Sequence, residues 1–411
     1  MLFPNFRHTF EYRILDAMAY ELRQQGHEAL ISWRPAHSHI VSKLAKAHDV
    51  DVVFQVNRPR PNDDIFPKNT RHISWYQDCR KPYLEKAIKQ SKDDDIIYYM
   101  ADLESLTGGK PNFSVYSNML APAVDRRLVT KAKFPGPDSY DLSMIGTIMK
   151  PFHMDEREET LAYEGQDYAE YFWWYMKKNM LYWKMPKTWI KYFTVRKEWR
   201  ELYGATVSKT IMETHFSPLD GHSNRAQLDS LMDEVLGECS DSKWNRENDK
   251  VIYLRLLNRL TIARYILDIS ANVKFYGSHW DNHDEFKRYA GGFIHNQGEI
   301  NRLFNKTKIV VHDNPDGCNL HDRVFYALAS GSLLLTGLSD WDNTPGGFRN
   351  YFEPSIHYAA YTHDSFHEQA RRYLSDEDAR KKIGEAANKQ VLAEHSYYNR
   401  VQQILTDLGV N

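Results

Sequence analysis

The chain has 411 residues but little cysteine, no excess of either charge and no long apolar run. Its three cysteines, Cys79, Cys239 and Cys318, are odd in number and widely spaced. With no CxxC pair among them, a disulfide framework and a structural zinc site are both disfavoured. A formal charge of −2 leaves no whole-chain field to draw in nucleic acid or an acidic membrane, so any such attraction has to be local. Nowhere do about eighteen apolar residues run together, as a membrane span requires. The opening Met1-Leu2-Phe3-Pro4-Asn5-Phe6 lacks the basic and long apolar segments of a secretory signal. A cytoplasmic setting is the expectation. No GxGxxG follows the first strand, which argues against a dinucleotide enzyme.

Aromatic residues, by contrast, are plentiful, with ten Trp and twenty-six Tyr. The length suits two α/β domains of roughly 150–200 residues. Tyr12 to Gln25 sets Ile14, Leu15, Met18, Ala19 and Leu22 at helical spacing, and Glu28 to Trp33 then reads as a strand. Further strands are expected at Asp51 to Val56, His72 to Tyr76, Ile96 to Met100 and Phe113 to Tyr116. Strands alternating with helices imply a parallel, doubly wound sheet. The expected domain spans 1–133, followed by a Pro/Gly linker over 134–140.

A second domain is expected over 141–395, opening on the strand Leu142 to Gly146. The pattern breaks at about 151–250 for a helical, aromatic-rich insert. It resumes with a helix at Val251 to Ile269 and strands at Asn272 to Tyr276 and Lys308 to Val311. A helix at Asp322 to Ser330, a turn at Gly331 and a strand at Ser332 to Thr336 come next. An apolar run at Ile356 to Ala360 follows. Ser375-Asp376-Glu377-Asp378 marks a further helix start, and a C-terminal helix is expected over 396–411.

The run from Val310 to Thr336 carries the clearest chemistry: strand, polar loop, helix, glycine turn, strand. In an open parallel sheet a ligand sits beyond the carboxyl ends of the strands. There the next helix offers N–H groups and a positive dipole end to a phosphate. Arg323, in the first helical turn, is placed to hold a pyrophosphate or else to pair with a nearby carboxylate. Candidate contacts to a bound nucleotide are Gly277, Asn319, Asp322, Arg323, Tyr326 and Gly331.

Several short elements lie in a telling order: Tyr276-Gly277-Ser278-His279-Trp280, then Arg323 to Gly331, then His395-Ser396-Tyr397-Tyr398-Asn399-Arg400. Ser74-Trp75-Tyr76-Gln77-Asp78, Leu120 to Asp125 and Tyr140 to Gly146 join them from the first half. Together they resemble the CgeB-like (spore-maturation-type) glycosyltransferases. The resemblance implies a GT-B fold, two Rossmann-like domains facing a cleft, and a nucleoside-diphosphate sugar as donor. It also implies an acid where this chain has Tyr326, a position that binds the donor ribose in related enzymes. Donor recognition is then altered, or Asp322 or Asp316 takes that part, or the chain is an inactive sugar-binding descendant.

In that fold the acceptor and any base come from the N-terminal domain. His8, with an ordinary pKa of about 6.5, suits removal of a hydroxyl proton, though an ordinary loop histidine has the same surroundings in sequence. Asp78 and Asp102 follow expected strands and are candidates either for the base or for orienting His8. Arg58 and Arg60 follow another strand and suit an anionic acceptor or a solvated loop. No metal is required. The acidic runs Asp49-Val50-Asp51 and Asp93-Asp94-Asp95 precede strands and read as solvated strand or helix ends. Helix dipoles and cationic side chains would instead stabilise the departing diphosphate.

Between Tyr171 and Arg200 stand eleven aromatic residues and eight Lys or Arg against one acid, Glu198. Such a mixture suits stacked bases and phosphates, a membrane surface, or sugar rings. It also suits a plain helical subdomain. The acceptor is accordingly open among glycan, protein, lipid and a hydroxylated DNA base.

Overall fold

A computed structural model describes residues 1–4, 9–32, 38–60, 66–67, 69–77, 88–100, 116–129, 132–134, 139–148, 246–314 and 319–410. They form two separate all-parallel sheets with helices against them. The first holds β1 (Leu2–Phe3), β2 (Leu30–Ile31), β3 (Val52–Val56), β4 (Arg71–Tyr76), β5 (Ile96–Tyr99) and β6 (Tyr116–Met119). Their order is β2-β1-β3-β4-β5-β6. The second holds β7 (Tyr140–Ile145), β8 (Val273–Tyr276), β9 (Thr307–His312), β10 (Leu333–Gly337) and β11 (Ala359–Tyr361). Their order is β11-β10-β9-β7-β8. Numbered from its own first strand, each sheet runs second, first, third, fourth, fifth, and the first sheet adds a sixth strand beyond these. Each therefore reverses direction once, between β1 and β3 in one and between β7 and β9 in the other.

The apolar character of the central strands explains the parallel pairing. Every residue of β3 and β5 is buried, because helices cover both faces of such a sheet. Helix α1 (Thr9–Gln24) buries Ile14, Leu15, Met18, Ala19 and Leu22 against it, the spacing read from the sequence. In the second half, α3 (Arg246–Ile269), α4 (Gln297–Phe304) and α5 (Asp322–Ser330) stand beside the sheet, with α2 (Ser38–Ala47) belonging to the first. Helices α6 (Phe366–Ser375), α7 (Glu377–Glu394) and α8 (Tyr397–Asp407) end the chain. The side chain of Asp376 caps α7 by accepting the N–H of Ala379, as the acidic helix start led us to expect.

The last helix returns to the first sheet. α8 packs beside α1, and Tyr98 Oη donates to Asp407 at 2.8 Å. At the crossing, Val124 N–H donates to His395 O and Tyr397 N–H donates to Val124 O. Arg400, nearly enclosed, donates to the carbonyls of Ala121 (2.7 Å) and Pro122 (3.0 Å) and to His395 Nδ1 (2.7 Å). The His395-to-Arg400 element quoted for the family resemblance therefore fastens the two halves together. Trp75 likewise is core, its indole N–H donating to Leu120 O across the sheet.

Two sequence readings need correction here. Arg60 lies neither in a solvated loop nor open to an acceptor. It is buried, 2.6 Å from Asp95 Oδ1, under the ring of Phe66. Asp95 is correspondingly not a solvated strand end: it is 1 % exposed and also accepts the N–H of His72. Residues 57–60 fold back along β4, with Ser74 Oγ donating to Arg58 O and Arg60 Nη2 donating to Thr70 O, and that return is what buries the pair. The final strand of the first sheet, expected over Phe113 to Tyr116, is described from Tyr116 onward, as β6 at Tyr116–Met119, its register set by Ile96 opposite Tyr116; positions 113–115 lie outside the described residues. The insert at 151–245 lies outside the described residues, as do His8, Asp78 and Asp102.

Candidate functional site

At the carboxyl edge of the second sheet, the exits of β7 and β9 diverge at the point of reversal, where an open parallel sheet holds its ligand. Beyond β9 stand Asp313 and Asn314, and α5 begins nine residues later with Asp322. His321 caps that helix, its Nδ1 accepting the N–H of Arg323 at 3.3 Å.

Two guanidinium groups brace the exit of β7. Arg323 Nη1 donates to Ile145 O at 2.5 Å, and its Nη2 lies 3.3 Å from His321 Nε2. Arg259, from α3, donates through Nη1 to Thr147 O at 2.5 Å. Its Nε meets Asp313 Oδ2 at 2.8 Å in a buried ion pair. The neighbouring Asn258 donates to Asp313 O and lies 2.9 Å from His363 Nε2, reaching the chain just beyond β11. Two successive residues of one helix thus tie together the segments following β7, β9 and β11. Nothing in the helical periodicity sets them apart; only the strand exits they meet do so.

Gly277 lies on the same edge, at the exit of β8, with a φ of +124°. A Cβ there would stand 2.3 Å from Gly146 O, so the two strand exits touch backbone to backbone. Trp280 then seals the turn, its indole N–H donating to Gly146 O at 2.7 Å.

Electrostatics divide this edge into charged and uncharged parts. His312 closes β9 and is 3 % exposed. Burial, with the charges of Arg323 and Arg259 added, holds its imidazole well below the ordinary range and therefore neutral. The carboxyl of Asp322 is pushed up to about 7 by burial, against the pull of Arg323. Asp342 rises to about 6 for the same reason, moderated by hydrogen bonds from Asn319. Among the described residues no group of three or more His, Cys, Asp or Glu side chains is arranged to hold a metal ion.

The expected contacts separate into two sets. Asp322, Arg323 and Gly277 are gathered at the carboxyl edge. Asn319 is beside them but fully enclosed: its amide donates to Asp342 Oδ2 (2.7 Å) and Gly337 O, and its Oδ1 accepts from Thr336 Oγ1 (2.5 Å). It shapes the loop and has no face left for a nucleotide. Tyr326 is 1 % exposed, and its hydroxyl accepts the N–H of Asp125 at 3.1 Å. It joins the two halves of the molecule and is closed to a ribose. Gly331 sits at the far end of α5, roughly 13 Å from its first turn at 1.5 Å per residue. Its φ is +92°, and a Cβ would lie 2.9 Å from Lys133 N. It belongs to packing.

Residues 254–406 match the glycosyl transferase-like family. That segment contains α5, β8 to β11, Arg259, Asp313 and Arg323. No curated protein matches the chain. Among solved structures, Anabaena HepE in complex with UDP-glucose aligns over 99 % of this chain and 98 % of its own, at 9 % identity and a TM-score of 0.47. A glycosyltransferase from Rickettsia africae aligns over 99 % and 97 %, at 10 % identity and 0.46. AviGT4, a glycosyltransferase of avilamycin A biosynthesis, covers 99 % and 96 %, at 10 % identity and 0.49. At these scores the two-sheet architecture stands on its own strand order. No helix among the described residues is long and apolar enough to cross a membrane.

Proposed function

We propose that the protein is a GT-B glycosyltransferase of CgeB-like type that moves a sugar from a nucleoside-diphosphate sugar to a hydroxyl acceptor. The observation that carries this reading is the reversal point between β7 and β9, furnished with a helix start and two arginines; β9, that helix start and both arginines fall inside the segment that matches the glycosyl transferase-like family. The donor's diphosphate would lie at the start of α5. Arg323 would exchange its hydrogen bond to Ile145 O for stronger, charge-assisted bonds to phosphate oxygens. Breaking the bond from the anomeric carbon to the diphosphate leaves negative charge on its oxygens, and fixed cations and N–H groups at that spot lower the barrier to departure.

Asp322 is the carboxyl set closest in the chain to this charge. Raised to about 7, it is often uncharged at neutral pH, so it opposes an incoming diphosphate less than an ordinary aspartate would. The acceptor would approach from the N-terminal half, with His8, Asp78 or Asp102 taking its proton. The insert around 171–200 would select the acceptor among glycan, protein, lipid and DNA base.

Incubation with a panel of nucleoside-diphosphate sugars tests the reading. We expect hydrolysis or a stabilising thermal shift with at least one donor, and loss of turnover in Arg323→Ala. Silence toward every donor, with and without added divalent metal, would overturn it.

A further inference from the structure

The edge of the second sheet holds one group that the proposed reaction leaves without a task. His312 lines a narrow, mostly apolar niche with Ile145, Arg323, Val324, Phe304 and Leu334, which runs from the ends of β7 and β9 beneath the first turn of α5. Its backbone is accounted for, since Tyr361 Oη donates to His312 O at 3.0 Å. Its Nε2 is enclosed and makes no hydrogen bond. Buried polar atoms nearly always find partners, so an enclosed one without a partner calls for a reason.

The surroundings specify what that reason requires. Arg323 approaches from α5 and Arg259 from α3, and the ring of His321 lies 6.3 Å away, centre to centre. Asp313, the next residue, is already paired with Arg259. The environment is cationic, and a further proton on the imidazole would add to that repulsion. A neutral imidazole still has one N–H to give, and the natural complement to it here is an anionic oxygen.

We propose that His312 is a ligand-contacting residue of the donor site, whose Nε2–H binds an oxygen of the diphosphate beside Arg323. The proposal rests on the donor-site reading above and adds a residue to it. The guanidinium of Arg323 is held by Ile145 O and forms part of the niche wall. A phosphoryl oxygen is the better acceptor for that guanidinium. Its arrival draws Arg323 off the carbonyl, and because Arg323 and His312 line the same niche, that movement opens a path to Nε2.

Calorimetric titration of the full chain with UDP, with inorganic pyrophosphate and with uridine tests this. For the wild type we expect binding of UDP and pyrophosphate. His312→Phe should weaken both by about tenfold or more, the worth of one hydrogen bond to a charged group, and leave uridine unchanged. His312→Asn, which restores an N–H donor in a smaller side chain, should recover part of the loss. Thermal melting of both variants checks that they fold; were His312→Phe to unfold, His312→Asn and His312→Leu would carry the comparison. Equal affinity of the wild type and a folded His312→Phe or His312→Leu for pyrophosphate would overturn the role of His312 while sparing the donor site. Failure of the wild type to bind UDP or pyrophosphate at millimolar concentration would overturn both.

Discussion

Replacing Arg259 by methionine probes the brace that shapes the candidate site. Methionine keeps much of the side chain's length and removes its charge. Asp313 is left 0 % exposed at its side chain, with no cation beside Oδ2 and with Oδ1 already lacking a hydrogen bond. Removing one partner of a buried pair costs about 3–5 kcal/mol. A loss of about 4 kcal/mol corresponds to a fall in melting temperature of about 8–16 °C for a domain of this size. Adding Asp313→Leu removes the stranded charge and should restore most of the stability. Urea unfolding followed by tryptophan fluorescence is a suitable assay, with Trp280 bonded to Gly146 O at the same turn. A loss below about 1 kcal/mol in the single variant, or no recovery in the double one, would refute the reasoning.

Three other outcomes follow from the structure. Gly331→Ala forces a side chain into a φ of +92° and against Lys133 N, and should lower stability by about 1–3 kcal/mol in denaturant titration without moving donor affinity. Tyr326→Phe leaves the buried N–H of Asp125 without its acceptor and should cost about 1–3 kcal/mol, measured the same way. His72 is buried and its pKa is lowered to about 3, so below about pH 6.5 the unfolded chain takes up a proton that the folded chain refuses. Its contribution to stability is therefore full above pH 6.5 and falls as the pH drops toward 3. His72→Gln should flatten the acid limb of the stability profile by about 1.4 kcal/mol per pH unit between pH 6 and pH 4.

The strands and helices were largely legible because their signals are local. The apolar run at β9, the acidic start of α7 and Gly331 closing α5 each announce an element within a few residues. What stayed hidden depends on distant partners. Asp95 looks solvated until Arg60, thirty-five positions earlier, folds back onto it. Asn319 resembles a ligand contact until Asp342 encloses it. Arg259 sits in a helix whose spacing gives it no distinction, and acquires one only where Thr147 O and Asp313 meet it. Tyr326 shows the same limit from the other side: its place in a helix could be read, but its hydroxyl's partner, Asp125, lies 201 positions away.

The central claim is that a nucleotide sugar binds at the reversal between β7 and β9. A crystal structure of the protein soaked with a nucleoside diphosphate tests it most directly. The diphosphate should lie within hydrogen-bond distance of the first turn of α5, with Arg323 moved from Ile145 O onto a phosphate oxygen. A nucleotide bound at another edge, or bound at this edge with Arg323 still on Ile145 O, would contradict it.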